Sequence, residues 1–382
     1  MRVFLITEMN YPGGDAGGTR YKVFADMCAA LGYNINICCL GKDKEKVAAD
    51  KYNAVSFYDS SPSKLKKLLT YFRFPKLSLN ELKKYDDVAA VIWSGFLIPH
   101  NYLKLKKYCE KKGIKLIYNA DEWYSPEEFK TKLNPDYMLN SLMHNRFIPG
   151  GYLRCISISR YLQKHFDSIN VYNRYIPAVQ NVSSIPCVKT ERDDKLRIIY
   201  AGSPTRKDML APVITAAANL SGAEMERTEI TIIGATEDQL INISGVPASD
   251  IEKLGSHLTV SGRVPKSEVL EAYSKADFSV LIRPENMRYA MAGFPTKFVE
   301  SLSSGTPVIC NLTSDLADFL TDGENGLVVR GEAWEDVIPV LRRALSLSAE
   351  DKKHMSALAR KTAEEKLDYH CWLKAMKELI EG

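Results

Sequence analysis

The stretch Gly293-Phe294-Pro295-Thr296-Lys297-Phe298-Val299-Glu300 places residue types suited to an anionic, hydroxyl-bearing ligand in close order. Proline suits the first turn of a helix, where its missing N–H is not needed. The free N–H groups after Gly293 then favour a phosphate. Glu300 lies about one turn further in, where a carboxylate accepts two hydrogen bonds from a ribose diol. Taken alone, such a glutamate serves equally as a solvated helix side chain. A second stretch, Tyr200-Ala201-Gly202-Ser203-Pro204-Thr205-Arg206-Lys207-Asp208, follows an apolar strand pattern. Arg206 would grip a pyrophosphate as a fork and Lys207 as a point charge. A solvent-exposed pair at a helix entry is the other reading. A third, Pro12 to Gly18, offers the backbone N–H groups of Gly14, Gly17 and Gly18 to an anion. It has no G-x-G-x-x-G register, and Thr19 stands where a Walker loop has lysine, so a flexible turn competes. Finally, Asp121 and Glu122 end a strand pattern. They would orient a hydroxyl or a sugar, or else cap the segment that starts at Ser125-Pro126.

These residues need strand ends and helix starts to hold them. Strand and helix patterns alternate along the chain: Val3–Thr7, Asn36–Leu40, Val88–Trp93 and Lys115–Tyr118, then again from Leu196–Tyr200 through Glu229–Ile233, Leu258–Val260, Phe278–Ile282, Pro307–Cys310 and Gly326–Val329. Helices are expected around Asn101–Lys112, Asp208–Leu220, Lys266–Lys275 and Thr296–Ser303. Near-continuous apolar strands between helices predict parallel sheets covered on both faces. The pattern restarts after the polar stretch Lys189–Lys195, so two doubly wound halves are expected, with ligands beyond the carboxyl ends of their strands. The 382 residues fit about two domains. With 45% apolar and 26% charged residues the chain is globular, and a net charge of +4 does not mark a nucleic-acid binder. Eight scattered cysteines without a CxxC pair exclude a disulfide framework and a zinc knot, and point to a reducing cytosol. Glu8 interrupts the N-terminal apolar run too early for a signal peptide. No run approaches the roughly 18 apolar residues of a membrane span.

In order and spacing, Gly202 with Arg206-Lys207, Gly262-Arg263-Val264-Pro265, Ala276-Asp277, and Pro295 to Glu300 continuing into Gly305-Thr306-Pro307-Val308-Ile309 resemble glycosyltransferase family 4. The resemblance covers most of the chain and is densest from 196 to 330. It implies an α/β GT-B fold, two Rossmann-like domains facing a cleft: an acceptor domain at 1–185, a nucleotide-sugar domain at 190–365, and a final helix at 366–382 packing back on the first. It implies a retaining, metal-independent transfer from a nucleotide diphosphate sugar, UDP-linked, to a glycan or lipid-linked acceptor in polysaccharide or glycoconjugate assembly. No cofactor is implied; the lack of any D-x-D spacing suits metal independence. By resemblance, Glu300 binds the ribose, Arg206 and Lys207 hold the diphosphate, and Phe294, Pro295, Thr296 and Lys297 form the helix entry beside it. Arg263 and Val264 lie near the base, and Gly14, Gly17, Gly18, Gly202 and Ser203 complete the donor site. Asp121 and Glu122 stand near the reacting centre. The chain departs from the family at Ala292, where a second glutamate is usual, and at Ser203, where arginine is common. The departure at Ala292 predicts a donor sugar that is deoxygenated or N-acetylated. A GT-B epimerase and a non-catalytic, nucleotide-sugar-binding partner subunit are the rival readings.

Two basic stretches remain. Lys64, Lys66, Lys67, Arg73, Lys76, Lys83 and Lys84 interleave with leucines and aromatics, and Lys104 to Lys115 form another cluster. Such a stretch rests on an anionic membrane face or forms a solvated helix face. The first reading puts the protein in the cytoplasm at the inner face of the membrane. No nucleic-acid motif accompanies the charge.

Overall fold

The computed structural model describes residues 1–13, 16–60, 63–94, 99–129, 131–190, 193–203 and 207–382. Gly14 and Arg206, both expected in the site, lie outside the described residues. The chain forms two compact units, Met1–Val179 with Tyr369–Gly382, and Gln180–Asp368.

The first unit holds a seven-stranded, wholly parallel sheet ordered β3-β2-β1-β4-β5-β6-β7. Its strands are β1 (Arg2–Thr7), β2 (Asn34–Cys39), β3 (Asn53–Ser56), β4 (Val88–Trp93), β5 (Lys115–Ala120), β6 (Arg154–Ser157) and β7 (Asn173–Tyr175). Val3 to Ile6 and Ala90 to Trp93 are buried at every position. Successive strand residues face opposite ways, so both faces of the sheet are covered, which is why these strands run apolar without alternation. Cys38 and Cys39 follow the same rule, and none of the eight cysteines is bridged. Met376, Leu379 and Ile380 of the helix Leu373–Glu381 join the cluster of Val3, Ile35 and Ile92. The strands β3, β6 and β7 went unread in the sequence. They are three or four residues long, and β3 is a half-exposed edge, too little for a periodic signal.

The second unit holds a six-stranded parallel sheet ordered β10-β9-β8-β11-β12-β13. Its strands are β8 (Leu196–Ala201), β9 (Thr228–Ile233), β10 (Leu258–Ser261), β11 (Phe278–Leu281), β12 (Val308–Cys310) and β13 (Gly326–Val328). The chain runs outward from β8 to β10, then returns to the other side of β8 with β11. That reversal opens a crevice at the carboxyl ends of β8 and β11, the place where open α/β sheets bind ligands.

The helix Thr296–Ser303 leads into β12 and buries Phe298, Val299 and Leu302. Its Ser301 Oγ lies 2.6 Å from Ser279 Oγ on β11 and donates to Thr306 O at 2.6 Å. The helix ends where Thr306 N–H bonds Ser301 O and Gly305 N–H bonds Leu302 O, both at 2.9 Å. This six-to-one, five-to-two closure needs a left-handed residue, and Gly305 supplies it with φ +65°. Two sequence expectations are corrected here. Pro295 is not in the first helical turn; its ψ of 116° is extended, and it is the residue before the helix. The helix expected around Asp208–Leu220 covers only Ala211–Ala218; before it, Met209 N–H is bonded to Ile282 O at 2.7 Å, outside any helical pattern.

Candidate functional site

The strands β8, β9 and β10 end in glycines that lie side by side. Gly202 N–H donates to Ile233 O at 2.8 Å, and Gly234 N–H donates to Ser261 O at 2.8 Å and Gly262 O at 3.1 Å. A Cβ on Gly234, whose φ is +94°, would stand 2.8 Å from Gly202 O. Neighbouring loops therefore approach through backbone, leaving a ledge without side chains. Val264 packs behind it with Ile199, Ala201, Ile233 and Tyr273, and Arg263 is exposed.

At the β8 side of the crevice, Lys297 reaches back along the ledge. A Cβ on Gly202 would collide with its Cε at 2.0 Å, so glycine here makes room for a lysine from 95 positions later. The Lys297 ammonium meets Asp208 Oδ2 at 2.7 Å. Tyr200 Oη donates to the same oxygen at 2.9 Å, and Arg283 Nε lies 3.9 Å from Oδ1. Burial alone would raise the Asp208 carboxyl, but Lys297, Arg283 and the Tyr200 hydroxyl outweigh it and hold the carboxyl below its ordinary value. One carboxylate thus faces two cations beside the crevice. Lys207 is seated nearby on the same loop, its ammonium 5.7 Å from the centre of the Tyr289 ring. Tyr289 belongs to a short helix, Arg288–Ala292, that the sequence did not betray and that leads straight into Gly293.

Glu300, one turn beyond Lys297, is half-buried. Burial raises its carboxyl above the ordinary value, against the pull of Lys297 and Lys266. Among the described residues nothing donates a hydrogen bond to it. A desolvated carboxylate without donors is stabilised by any ligand that brings hydroxyls. Thr296 and Lys297 head the helix, where first-turn N–H groups have no acceptor within the helix. The Phe294 ring turns inward against Phe298 and Phe319, with centroids at 6.2 and 5.3 Å. Only its backbone is left for a ligand. Ser203 is exposed and its carbonyl accepts from Tyr200 Oη at 3.4 Å.

In the first unit, Gly17 and Gly18 lie in the opening turn of the helix Ala16–Ala30. A Cβ on Gly17 would meet Met9 Cγ at 2.6 Å, so the glycine lets the loop after β1 close over the helix start. Asp121 is held by a relay: buried Arg20 Nε donates to Asn119 Oδ1 at 3.1 Å, and Asn119 Nδ2 donates to Asp121 Oδ2 at 3.2 Å. Burial lowers the Arg20 guanidinium to about 10, with Asp121 opposing that shift. The segment that starts at Ser125-Pro126 is capped by its own residues, Ser125 and Glu128. Glu128 accepts from Ser125 N–H at 3.1 Å. The Glu122 carbonyl accepts from Asn140 Nδ2 at 3.0 Å, and the Trp123 ring stacks on those of His165 and His144 at 3.9 and 5.2 Å.

Within the second unit the structure gathers Gly202, Lys207, Lys297 and Glu300 around the β8–β11 crevice. It adds Tyr200, Asp208, Arg283 and Gly234, which sequence reasoning left unassigned. Gly234 had a readable signal, a glycine directly after a strand; the ion cluster had none, since its members are far apart in the chain. A cavity of about 620 Å³ opens between the helix Lys266–Lys275 and β8 to β10. Val264 lines it, but none of Gly202, Lys297 and Glu300 does.

Residues 184–362 match the family described as glycosyl transferases group 1. No curated protein sequence matches the chain. Among solved structures, sucrose-phosphate synthase from Thermosynechococcus elongatus superposes with a TM-score of 0.71 at 12% identity, covering 99% of this chain and 98% of that one. WaaG, a glycosyltransferase involved in lipopolysaccharide biosynthesis, does so with a TM-score of 0.68 at 16% identity, covering 100% of both. Anabaena HepE, in complex with UDP and glucose, has a TM-score of 0.68 at 13% identity, covering 99% and 98%.

Proposed function

We propose, from the match of residues 184–362 to the group 1 glycosyltransferases and the GT-B fold, a retaining, metal-independent transfer of a sugar from a UDP-linked donor to a glycan or lipid-linked acceptor in cell-surface polysaccharide or glycoconjugate assembly. The observation that carries the reading is the placement, at one crevice, of a lysine pair, Lys207 and Lys297, with a half-buried carboxylate, Glu300, to which no described residue donates a hydrogen bond. The first suits a diphosphate and the second a ribose diol.

In this reading Glu300 accepts from the ribose hydroxyls. Lys207 and Arg206 hold the diphosphate, and the first-turn N–H groups of Thr296 and Lys297 add donors. The base lies on the glycine ledge beside Arg263 and Val264. As the glycosidic bond breaks, negative charge grows on the leaving diphosphate, and fixed cations and backbone donors stabilise that charge more than the ground state. In a retaining transfer the leaving phosphate oxygen itself takes the acceptor's proton. Little is then asked of acid–base side chains. Asp121, held by the Arg20–Asn119 relay, and Glu122 orient the acceptor hydroxyl or the sugar.

Calorimetric titration of UDP and UMP into the wild type and Lys207→Ala tests the phosphate contact. The variant should lose about 1.5–3 kcal/mol on UDP and less on UMP, the scale of hydrogen bonds to charged groups. An equal loss on both ligands would remove Lys207 from the outer phosphate.

Ala292, fully buried, stands where the family resemblance implies a glutamate. A site built to pair with a hydroxyl rejects analogues lacking it, whereas an apolar wall discriminates little. The donor is therefore expected to be an N-acetylated or deoxy hexose. Turnover across a panel of UDP-sugars should favour one of these over glucose, and Ala292→Glu should shift the preference toward unmodified sugars. Glucose as the best donor, with a preference that Ala292→Glu leaves alone, would end the idea.

A further inference from the structure

The helix Lys64–Leu82 changes character halfway along its length. Its second half is anchored: Phe74, Ser78, Leu79 and Leu82 are buried, and Phe57 packs edge-on against Phe74 at 6.1 Å. Tyr71 Oη, at the junction, donates to Glu8 Oε2 at 2.8 Å and ties the helix to the loop after β1. The first half is largely exposed. Leu65, Leu68, Leu69 and Phe72 are 65%, 51%, 43% and 47% exposed. Their spacing, i, i+3, i+4 and i+7, puts all four on one stripe of a helix. An apolar stripe held out from the body by a packed continuation is a surface shaped for an occupant, since scattered single leucines would need no explanation.

The charges around the stripe decide what that occupant is. Lys66, Lys67, Arg73 and Lys76 are exposed, and no aspartate or glutamate occurs from residue 60 to residue 80. A second copy of this chain seated symmetrically would bring the same cations against each other, which is unfavourable in an isologous contact. An anionic bilayer meets both features at once, taking leucine and phenylalanine into the acyl boundary and giving phosphates to the cations. The neighbouring helix Pro99–Lys112 exposes Leu103 and carries further lysines at 104, 107, 111 and 112. We propose that the first half of the helix Lys64–Leu82 is an interfacial membrane anchor, lying in the headgroup layer of an anionic leaflet with Leu65, Leu68, Leu69 and Phe72 inserted. The assignment stands on this face alone and does not depend on the sugar-transfer reading.

Flotation of the full-length protein with phosphatidylcholine vesicles, with and without phosphatidylglycerol, is the test. The wild type should float with the anionic vesicles at low salt and stay behind with the zwitterionic ones. The Lys66→Glu/Lys67→Glu variant should bind the anionic vesicles at least roughly twentyfold more weakly, at about fivefold per lysine lost near the surface. The Leu68→Asp/Phe72→Asp variant should lose binding in spite of its full set of lysines. Both variants should still unfold cooperatively, because Lys66, Lys67 and Leu68 are exposed and Phe72 is 47% exposed. Absence of flotation, equal flotation with both vesicle types, or indifference to either variant would overturn the proposal. So would a dimer that dissociates in Leu68→Asp/Phe72→Asp without vesicles, which would give the face to a second copy.

Discussion

Replacing Asp208 with alanine should lower the unfolding free energy of the second unit by about 3–5 kcal/mol, the range for stripping one partner from a buried ion cluster. Asp208 and Arg283 have side chains 8% and 6% exposed, so removal of the carboxylate leaves a guanidinium buried beside a second cation. The Tyr200 hydroxyl loses its nearer acceptor as well. Urea denaturation at neutral pH reads the effect, and a loss below about 1 kcal/mol, the range of an exposed ion pair, would contradict the buried cluster. Adding Lys297→Met to Asp208→Ala should restore part of the loss, since one orphaned charge is then gone. The pH dependence has a fixed sign. The Asp208 carboxyl is held below its ordinary value, so its contribution is complete above the usual carboxylate range and disappears as pH falls through the folded value. The gap between wild type and variant should therefore narrow in acid.

Glu300→Gln should move binding and stability in opposite directions. Nucleotide affinity should fall about tenfold to a hundredfold, the worth of charge-assisted hydrogen bonds to a carboxylate. The unliganded protein should become more stable at neutral pH. Burial raises the Glu300 carboxyl, so its ionisation works against the fold. Such a group favours folding fully below its unfolded value, and the benefit is lost as pH rises through the folded value. The difference in melting temperature between Glu300→Gln and the wild type should accordingly open on going from acid to neutral pH. Uridine and UDP titrations complete the test: both should weaken together, because the ribose is common to them. Full affinity in the variant, or a lower melting temperature at neutral pH, would take the carboxylate out of the proposed role.

Both sheets were legible from sequence wherever strands were long and buried on two faces, as with Val3–Ile6 and Leu196–Tyr200. The helix Thr296–Ser303 was legible from its proline entry and glycine exit. What escaped was tertiary in origin. Asp208 follows two cations in sequence and reads only as the start of a helix; its fixed partners are Lys297 and Arg283, brought in by the returning strands. Lys297 itself was read for its backbone, whereas its side chain fills the space that Gly202 leaves vacant. Phe294 sits within the motif but faces the core, since a motif fixes order along the chain and not the direction of each ring. The exposed half of the helix Lys64–Leu82 was visible as alternating lysine and leucine, yet only burial separates it from the anchored half.

The first unit is discontinuous in sequence, and this imposes an order on its completion during synthesis. Residues 180–368 form an uninterrupted unit, with no later segment to wait for. Residues 1–179 must wait for residues 369–382, which bring Met376, Leu379 and Ile380 into the cluster of Ile35 and Ile92. Until then the earlier-made part carries an apolar groove without its cover, and Tyr33 and Arg154 lack the partners that Glu381 and Leu379 later provide. The part translated first is thus the last to mature, with its unsealed side open to chaperones or to aggregation throughout the making of the rest.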